Sequence, residues 1–250
     1  MVGSVPLRTR RARVVCLPPA GSGCRFFRSW QSAAGTGVSV VGVQLPGREN
    51  RWRDPAPADV DDAVAAVVGE LVGLGALEQP VVIFGQSFGG LLGYEVARRL
   101  GDGHGAWPAA LVVAACRPPH LWIGAGRGLV DDDQALEQLL QERALDEYEL
   151  DEGSRQLMLD MLRRDARLSL TYRDPCGATV SCPVWAWGGR DDGTVTAEHL
   201  AGWDRYAGAS FHHRQFDGGH YFPGQHTDLV VALLRDMLPN LMRGSASDDR

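Results

Sequence analysis

The chain has 250 residues, 44% of them apolar, and a formal net charge of −6. That length holds one large domain with a well-buried core, and the negative balance argues against nucleic acid as the main partner. All 25 basic residues are arginine, so Schiff-base chemistry and a Ser–Lys dyad are excluded for want of lysine.

Residues 1–12 read as a flexible N-terminus. The basic segment 7–13 is followed by the apolar run Val14–Leu17, which stops at Pro18-Pro19. That run is too short for a signal-peptide core, and no apolar stretch approaches the ~20 residues of a membrane-spanning helix. The expectation is a cytoplasmic protein. Apolar runs predict strands over 13–17, 38–44, 81–85, 110–115, 184–187 and 210–216. Helical spacing falls over 25–33, 59–73, 90–100, 197–206 and 225–241. Nearly continuous apolar strands alternating with helices predict an α/β protein with a mostly parallel, doubly wound sheet and a site at the strand C-terminal ends. Residues 13–243 read as a single domain and 244–250 as a disordered tail.

The alternation breaks once, in an insertion over about 119–182. Two helical patterns lie there, 133–145 and 154–172, and together they predict a helical lid. Leu157, Met161, Leu168 and Tyr172 fit one apolar stripe of the second pattern. Acidic residues crowd 131–152, a composition that suits a solvated surface. The five cysteines, Cys16, Cys24, Cys116, Cys176 and Cys182, form no C-x-x-C pair. Buried free thiols suit them better than a disulfide framework or a zinc site, and no cofactor is expected.

The densest chemical signal is Gly85-Gln86-Ser87-Phe88-Gly89, set between an apolar strand and a helix. That context makes the pattern a nucleophile elbow, whose tight turn needs small flanking residues. Without lysine, the base for Ser87 must be histidine or, less simply, a carboxylate. Of seven histidines, His220 sits in the glycine-rich loop 217–222 between the last strand and the last helix, where the base of such a sheet belongs. An acid orienting the imidazole should lie between them in chain order. Asp192, opening Asp192-Gly193-Thr194-Val195, fits, with Asp191 as the alternative. For an oxyanion hole, the N–H of Phe88 follows the nucleophile directly. The loop 18–23 offers Ala20 N–H, with Gly21 second.

These segments resemble the type II thioesterases that accompany polyketide synthases and nonribosomal peptide synthetases. The resemblance runs from about residue 12 to 241. It rests on Leu17-Pro18-Pro19-Ala20-Gly21, Phe27 and Trp30, Gln44-Leu45-Pro46-Gly47-Arg48, the elbow, Leu162-Arg163-Arg164-Asp165, Gly188-Gly189 with Asp192, and Gly218-Gly219-His220. It implies the α/β-hydrolase fold and a Ser87–His220–Asp192 triad with Ala20 and Phe88 as oxyanion donors. It also implies a passage for the phosphopantetheine arm of an acyl or peptidyl carrier protein, for which Gly21, Gln86, Trp122, Met161 and Tyr172 are candidate linings. Carriers in these systems are acidic, so Arg25, Arg28, Arg163, Arg164 and Arg167 are candidate docking residues. Ser22 and Gly193 depart from the family pattern, which commonly has glycine and proline there. No membrane partner is expected, and a monomer is favoured. A general esterase, an acyl-CoA hydrolase or an acyltransferase would use the same parts. A non-catalytic carrier-binding module is the remaining reading.

Overall fold

The computed structural model describes residues 12–125, 132, 134, 152–175 and 177–244. The predicted helix at 133–145 apart from residue 134, most of the acidic stretch, Cys176, and residues 1–11 and 245–250 of the predicted flexible ends fall outside these. Six strands form one sheet: β1 (Ala12–Leu17), β2 (Val38–Gly42), β3 (Val81–Gln86), β4 (Ala110–Ala114), β5 (Val184–Gly189) and β6 (Phe211–Phe216). Their spatial order is β2-β1-β3-β4-β5-β6, and every neighbouring pair is parallel.

Side chains alternate across the pleat, so one strand feeds two cores. Val15, Leu17, Ile83, Leu111 and Val113 face a cluster closed by helices α2 (Val60–Gly73) and α3 (Phe88–His104). Val14, Cys16, Phe84, Val112 and Ala114 face a second cluster, closed by α1 (Trp30–Ala34) and the C-terminal helix (Thr227–Gly244). Helices on both faces explain why the central strands read as unbroken apolar runs.

Strand order reverses between β1 and β3, with β2 beyond one and β4 beyond the other. The C-terminal ends of β1 and β3 are in register, Leu17 opposite Gly85. The loops leaving those ends diverge around a crevice, where open α/β sheets bind their ligands. This puts the segment after Leu17 beside the one after Gln86.

Between β4 and β5, α4 spans Glu152–Ser169. Its buried residues are Leu159, Leu162, Asp165, Ala166, Leu168 and Ser169, while Leu157 is 59% exposed. Of the predicted stripe, Leu168 and Tyr172 are buried and Met161 is half-buried, while Leu157 is not, and Asp165 and Ser169 share the buried face. Leu159 and Leu162 belong to the same core cluster as Leu17, Leu45 and Phe88. The helix thus packs onto the C-terminal end of the sheet's central strands. Two shorter helices follow, α5 (Ala197–Ala201) and α6 (Phe222–Gln225), and α7 is the C-terminal Thr227–Gly244.

Candidate active site

Ser87 has φ 53° and ψ −120°, a conformation that costs a non-glycine residue of order 1–3 kcal/mol. Its N–H donates to Ala114 O at 2.8 Å, and its carbonyl accepts from Gly90 N at 2.9 Å, so the turn is held from both sides. A Cβ at position 85 would strike the backbone of Gly89 and Gly90, and one at position 89 the carbonyls of Leu17 and Pro18. Both flanking glycines are therefore sterically required. Immediately after Ser87 begins the 17-residue α3, whose first N–H groups have no partner within the helix and carry its positive dipole end.

His220 lies in the loop between β6 and α6. Its backbone oxygen accepts from Gln86 Nε2 at 3.0 Å, which ties this loop to the residue preceding Ser87. Gly189 allows the loop to settle over β5, since a Cβ there would meet the carbonyls of Gly218 and Gly219. His226 Nε2 meets Asp217 O at 2.8 Å and braces the loop from its far end.

Asp192 Oδ2 stands 2.8 Å from His220 Nδ1. The other oxygen, Oδ1, accepts from Thr194 N at 2.8 Å, Thr194 Oγ1 at 2.7 Å and Val195 N at 3.0 Å. These bonds make an Asx-type turn that fixes the carboxylate. They also settle the imidazole tautomer. A carboxylate only accepts, and Thr194, having given its proton to Asp192, presents an oxygen lone pair to Nδ1 at 3.1 Å. Nδ1 must then carry the hydrogen, which leaves Nε2 as the basic nitrogen. Burial acts to raise the Asp192 pKa, but the hydrogen bonds and charge of His220 with those of Thr194 outweigh it and hold the carboxyl below its ordinary range. Asp191 is exposed, with only its backbone N–H engaged with the histidine loop. It is not the histidine's partner. Thr194 was not expected in this role. The signal available was a hydroxyl two residues after a turn-opening aspartate.

The loop after β1 is built with equal care. Gly21 N donates to Asp165 Oδ2 at 2.6 Å. This commitment removes Gly21 as an oxyanion donor. Gly21 has φ +69°, and a Cβ there would meet the Leu162 side chain of α4, so it packs against the insertion rather than lining open space. Gln86 is fully buried, and Tyr172 is buried with its hydroxyl donating to Glu95 at 2.9 Å. Both are closed off from the surface, with Gln86 Nε2 and the Tyr172 hydroxyl engaged internally; the Tyr172 pKa is raised, first by burial and then by the Glu95 charge. Trp122 remains close to the elbow: its ring stacks on Phe88 at 6.3 Å, and its indole N–H donates to Ser169 O. Met161 is half-buried on α4. His212 and His213 are both exposed on the edge strand β6.

Among the described residues, no group of His, Cys, Asp or Glu is arranged to hold a metal ion, and no helix is long and apolar enough to cross a membrane.

A parallel sheet that carries a strained serine between its central strand and the next helix, with a histidine loop beyond its last strand, has the α/β-hydrolase fold. Within that fold, the chain belongs to the thioesterase domain family, which matches residues 12–238. It is similar to the RedJ thioesterase from the prodiginine biosynthetic pathway in Streptomyces coelicolor, at 33% identity and a TM-score of 0.83, covering 92% of this chain and 87% of that one. It is also similar to the type II thioesterase BorB from the borrelidin biosynthetic cluster, at 30% identity and a TM-score of 0.77, covering 92% and 94%. The probable cadicidin biosynthesis thioesterase of Streptomyces griseus is 30% identical over 90% of this chain. The chain spans 62% of that relative, and 11% of the AMB antimetabolite synthetase AmbE of Pseudomonas aeruginosa, to which it is 32% identical over 91% of its own length. The resemblance to type II thioesterases read from the loop motifs is thus borne out.

Proposed function

We propose that this chain is a serine thioesterase that removes acyl groups from the phosphopantetheine arm of a carrier protein in polyketide or nonribosomal peptide biosynthesis, acting in the cytoplasm without a cofactor. The observation that carries the reading is the hydrogen-bond pattern around His220. Asp192 and Thr194 hold Nδ1 as a donor, so Nε2 can accept the Ser87 proton.

Ser87 Oγ attacks the thioester carbonyl carbon as His220 takes its proton, and the oxyanion forms against the N–H groups of Ala20 and Phe88. The carbon–sulfur bond then breaks. The pantetheine thiol leaves with the proton held on His220, and Ser87 carries the acyl group as an ester. Water, deprotonated by His220, attacks that ester, and Ser87 regains its proton as the carboxylic acid departs. Asp192, whose pKa is depressed, stays anionic throughout and stabilises the imidazolium formed in each half-reaction. Trp122 and Met161 flank the acyl passage. The exposed Arg25, Arg28, Arg164 and Arg167 present positive charge to an acidic carrier. Arg163 is half-buried and bonded to Asp160 at 3.2 Å, so it contributes less.

The test is incubation with an acyl-loaded carrier, following the acyl group by mass spectrometry against a Ser87→Ala control. Release by the wild-type chain alone is expected. Equal release by both, or a strong preference for free esters or acyl-CoA, would overturn the proposal.

A further inference from the structure

One buried carboxylate joins three segments distant in sequence. Asp165, on α4, is 2% exposed. Its Oδ2 accepts from Gly21 N at 2.6 Å and from Arg48 Nη1 at 2.8 Å, and its Oδ1 from Arg48 Nη2 at 2.5 Å. Arg48 Nη1 also donates to Ser22 O at 2.8 Å. A parallel brace lies just beyond: Gln44 Oε1 accepts from Cys24 N at 2.8 Å, while Gln44 Nε2 donates to Arg48 O at 3.2 Å. The loop after β1 therefore has Gly21 N, Ser22 O and Cys24 N each held by a side chain from another segment.

Cohesion alone does not account for the arrangement. Burying an ion pair costs several kcal/mol of desolvation per charge, and a well-packed apolar pair of similar volume is commonly as stable or more so. Here Arg48 Nε is buried with no partner among the described residues, a further cost. What an apolar pair could not do is hold a backbone N–H and the next residue's carbonyl at fixed positions. An irregular loop entered through two prolines has no ladder of its own to do so. The residue preceding Gly21 is Ala20, whose amide is assigned above to the oxyanion.

We infer that Arg48 and Asp165 are positioning residues that aim the Ala20 amide by gripping Gly21 and Ser22, so that the seating of α4 sets the geometry of the oxyanion hole. This rests on the serine-hydrolase reading of the site. A displacement of about 1 Å at a reacting centre can cost ~10²-fold in rate, and loss of one oxyanion donor ~10²–10³-fold. Asp165→Asn keeps an acceptor either for the two donors that share Oδ2 or for Arg48 Nη2, but not for all three, and it removes the charge facing Arg48.

The test follows the rate of Ser87 capture by a fluorophosphonate and the kcat and KM for a small acyl thioester. Variants are Asp165→Asn and the double variant Arg48→Met/Asp165→Leu, with thermal melting of each. Expected are a ten- to hundred-fold fall (about 10–100-fold) in both capture rate and kcat for Asp165→Asn, with KM changed less than about threefold. The double variant should melt near the wild type yet stay equally slow. Wild-type capture and kcat in a folded double variant would overturn the inference, as would an Asp165→Asn defect confined to KM or to melting. Should the double variant not fold, Asp165→Asn decides alone. Failure of the underlying reading is separately visible: wild-type protein would then not be captured at Ser87 at all.

Discussion

Replacing Asp192 by asparagine isolates the group that fixes the imidazole tautomer. Three donors converge on Oδ1, namely Thr194 N, Thr194 Oγ1 and Val195 N. An asparagine would orient its carbonyl toward them, because the reverse would orphan two backbone N–H groups. Its NH₂ then points at His220 Nδ1, which must become an acceptor, and the proton moves to Nε2. To react, the imidazole has to reverse that tautomer against the amide, at about 1–3 kcal/mol for the unmade hydrogen bonds. The imidazolium also loses an adjacent anion, worth about 4 kcal/mol at 4 Å and an effective dielectric of ~20. A barrier increase of about 5–7 kcal/mol corresponds to a ~10⁴–10⁵-fold loss in kcat. The assay is continuous release of thiol from an acyl thioester, with fluorophosphonate capture measured in parallel and circular dichroism to establish folding. KM should hardly move. A folded Asp192→Asn enzyme within tenfold of wild-type kcat would refute the tautomer argument.

Asp192 also links stability to acid. Its pKa is lowered in the folded protein, so its contribution is fully present above the unfolded value of about 3.9 and is lost as pH falls through the folded value. Urea titrations from pH 6 down to pH 2 should show wild type losing stability more steeply than Asp192→Asn below about pH 4; parallel curves would contradict the shift. Gly193 faces open space, and its turn is already held by the Asp192 side chain. Gly193→Ala should therefore stabilise by about 0.4–1 kcal/mol through the unfolded chain, read as a small rise in melting temperature with unchanged kcat. Cys24 donates to Glu49 at 3.3 Å, and burial, then the Glu49 hydrogen bond and charge, push its thiol up to about 11. Alkylation by iodoacetamide at pH 8 should be much slower than for a free thiol, and Glu49→Gln should accelerate it.

The strands were legible because both faces of the sheet are covered, so apolar runs were unbroken. Only their ends differed. Strand β5 continues through Gly188-Gly189 to pair with β6 up to Phe216, where two glycines had suggested a loop. Helix α3 starts at Phe88 because the strained serine turn leads straight into it. The strained turn at Ser87 and the contact between Asp192 and His220 were legible from chain order and turn chemistry, both local properties. The burial of Asp165 on α4 was not, since it looks like a solvent-facing residue until its partner is known, and that partner lies 117 positions away. The anchoring contact of Gln86 was hidden for the same reason. Its amide reaches a carbonyl 134 positions away, a contact with no periodicity to announce it.

The serine at the elbow has one more consequence. Its left-handed backbone suits glycine far better than any residue bearing a Cβ. A Ser87→Gly protein should therefore melt above the wild type where the relieved strain of about 1–3 kcal/mol exceeds the roughly 0.5–1 kcal/mol of extra chain entropy that glycine loses on folding. The sturdiest version of this fold would be one that does no chemistry, and the living one keeps its hydroxyl under tension.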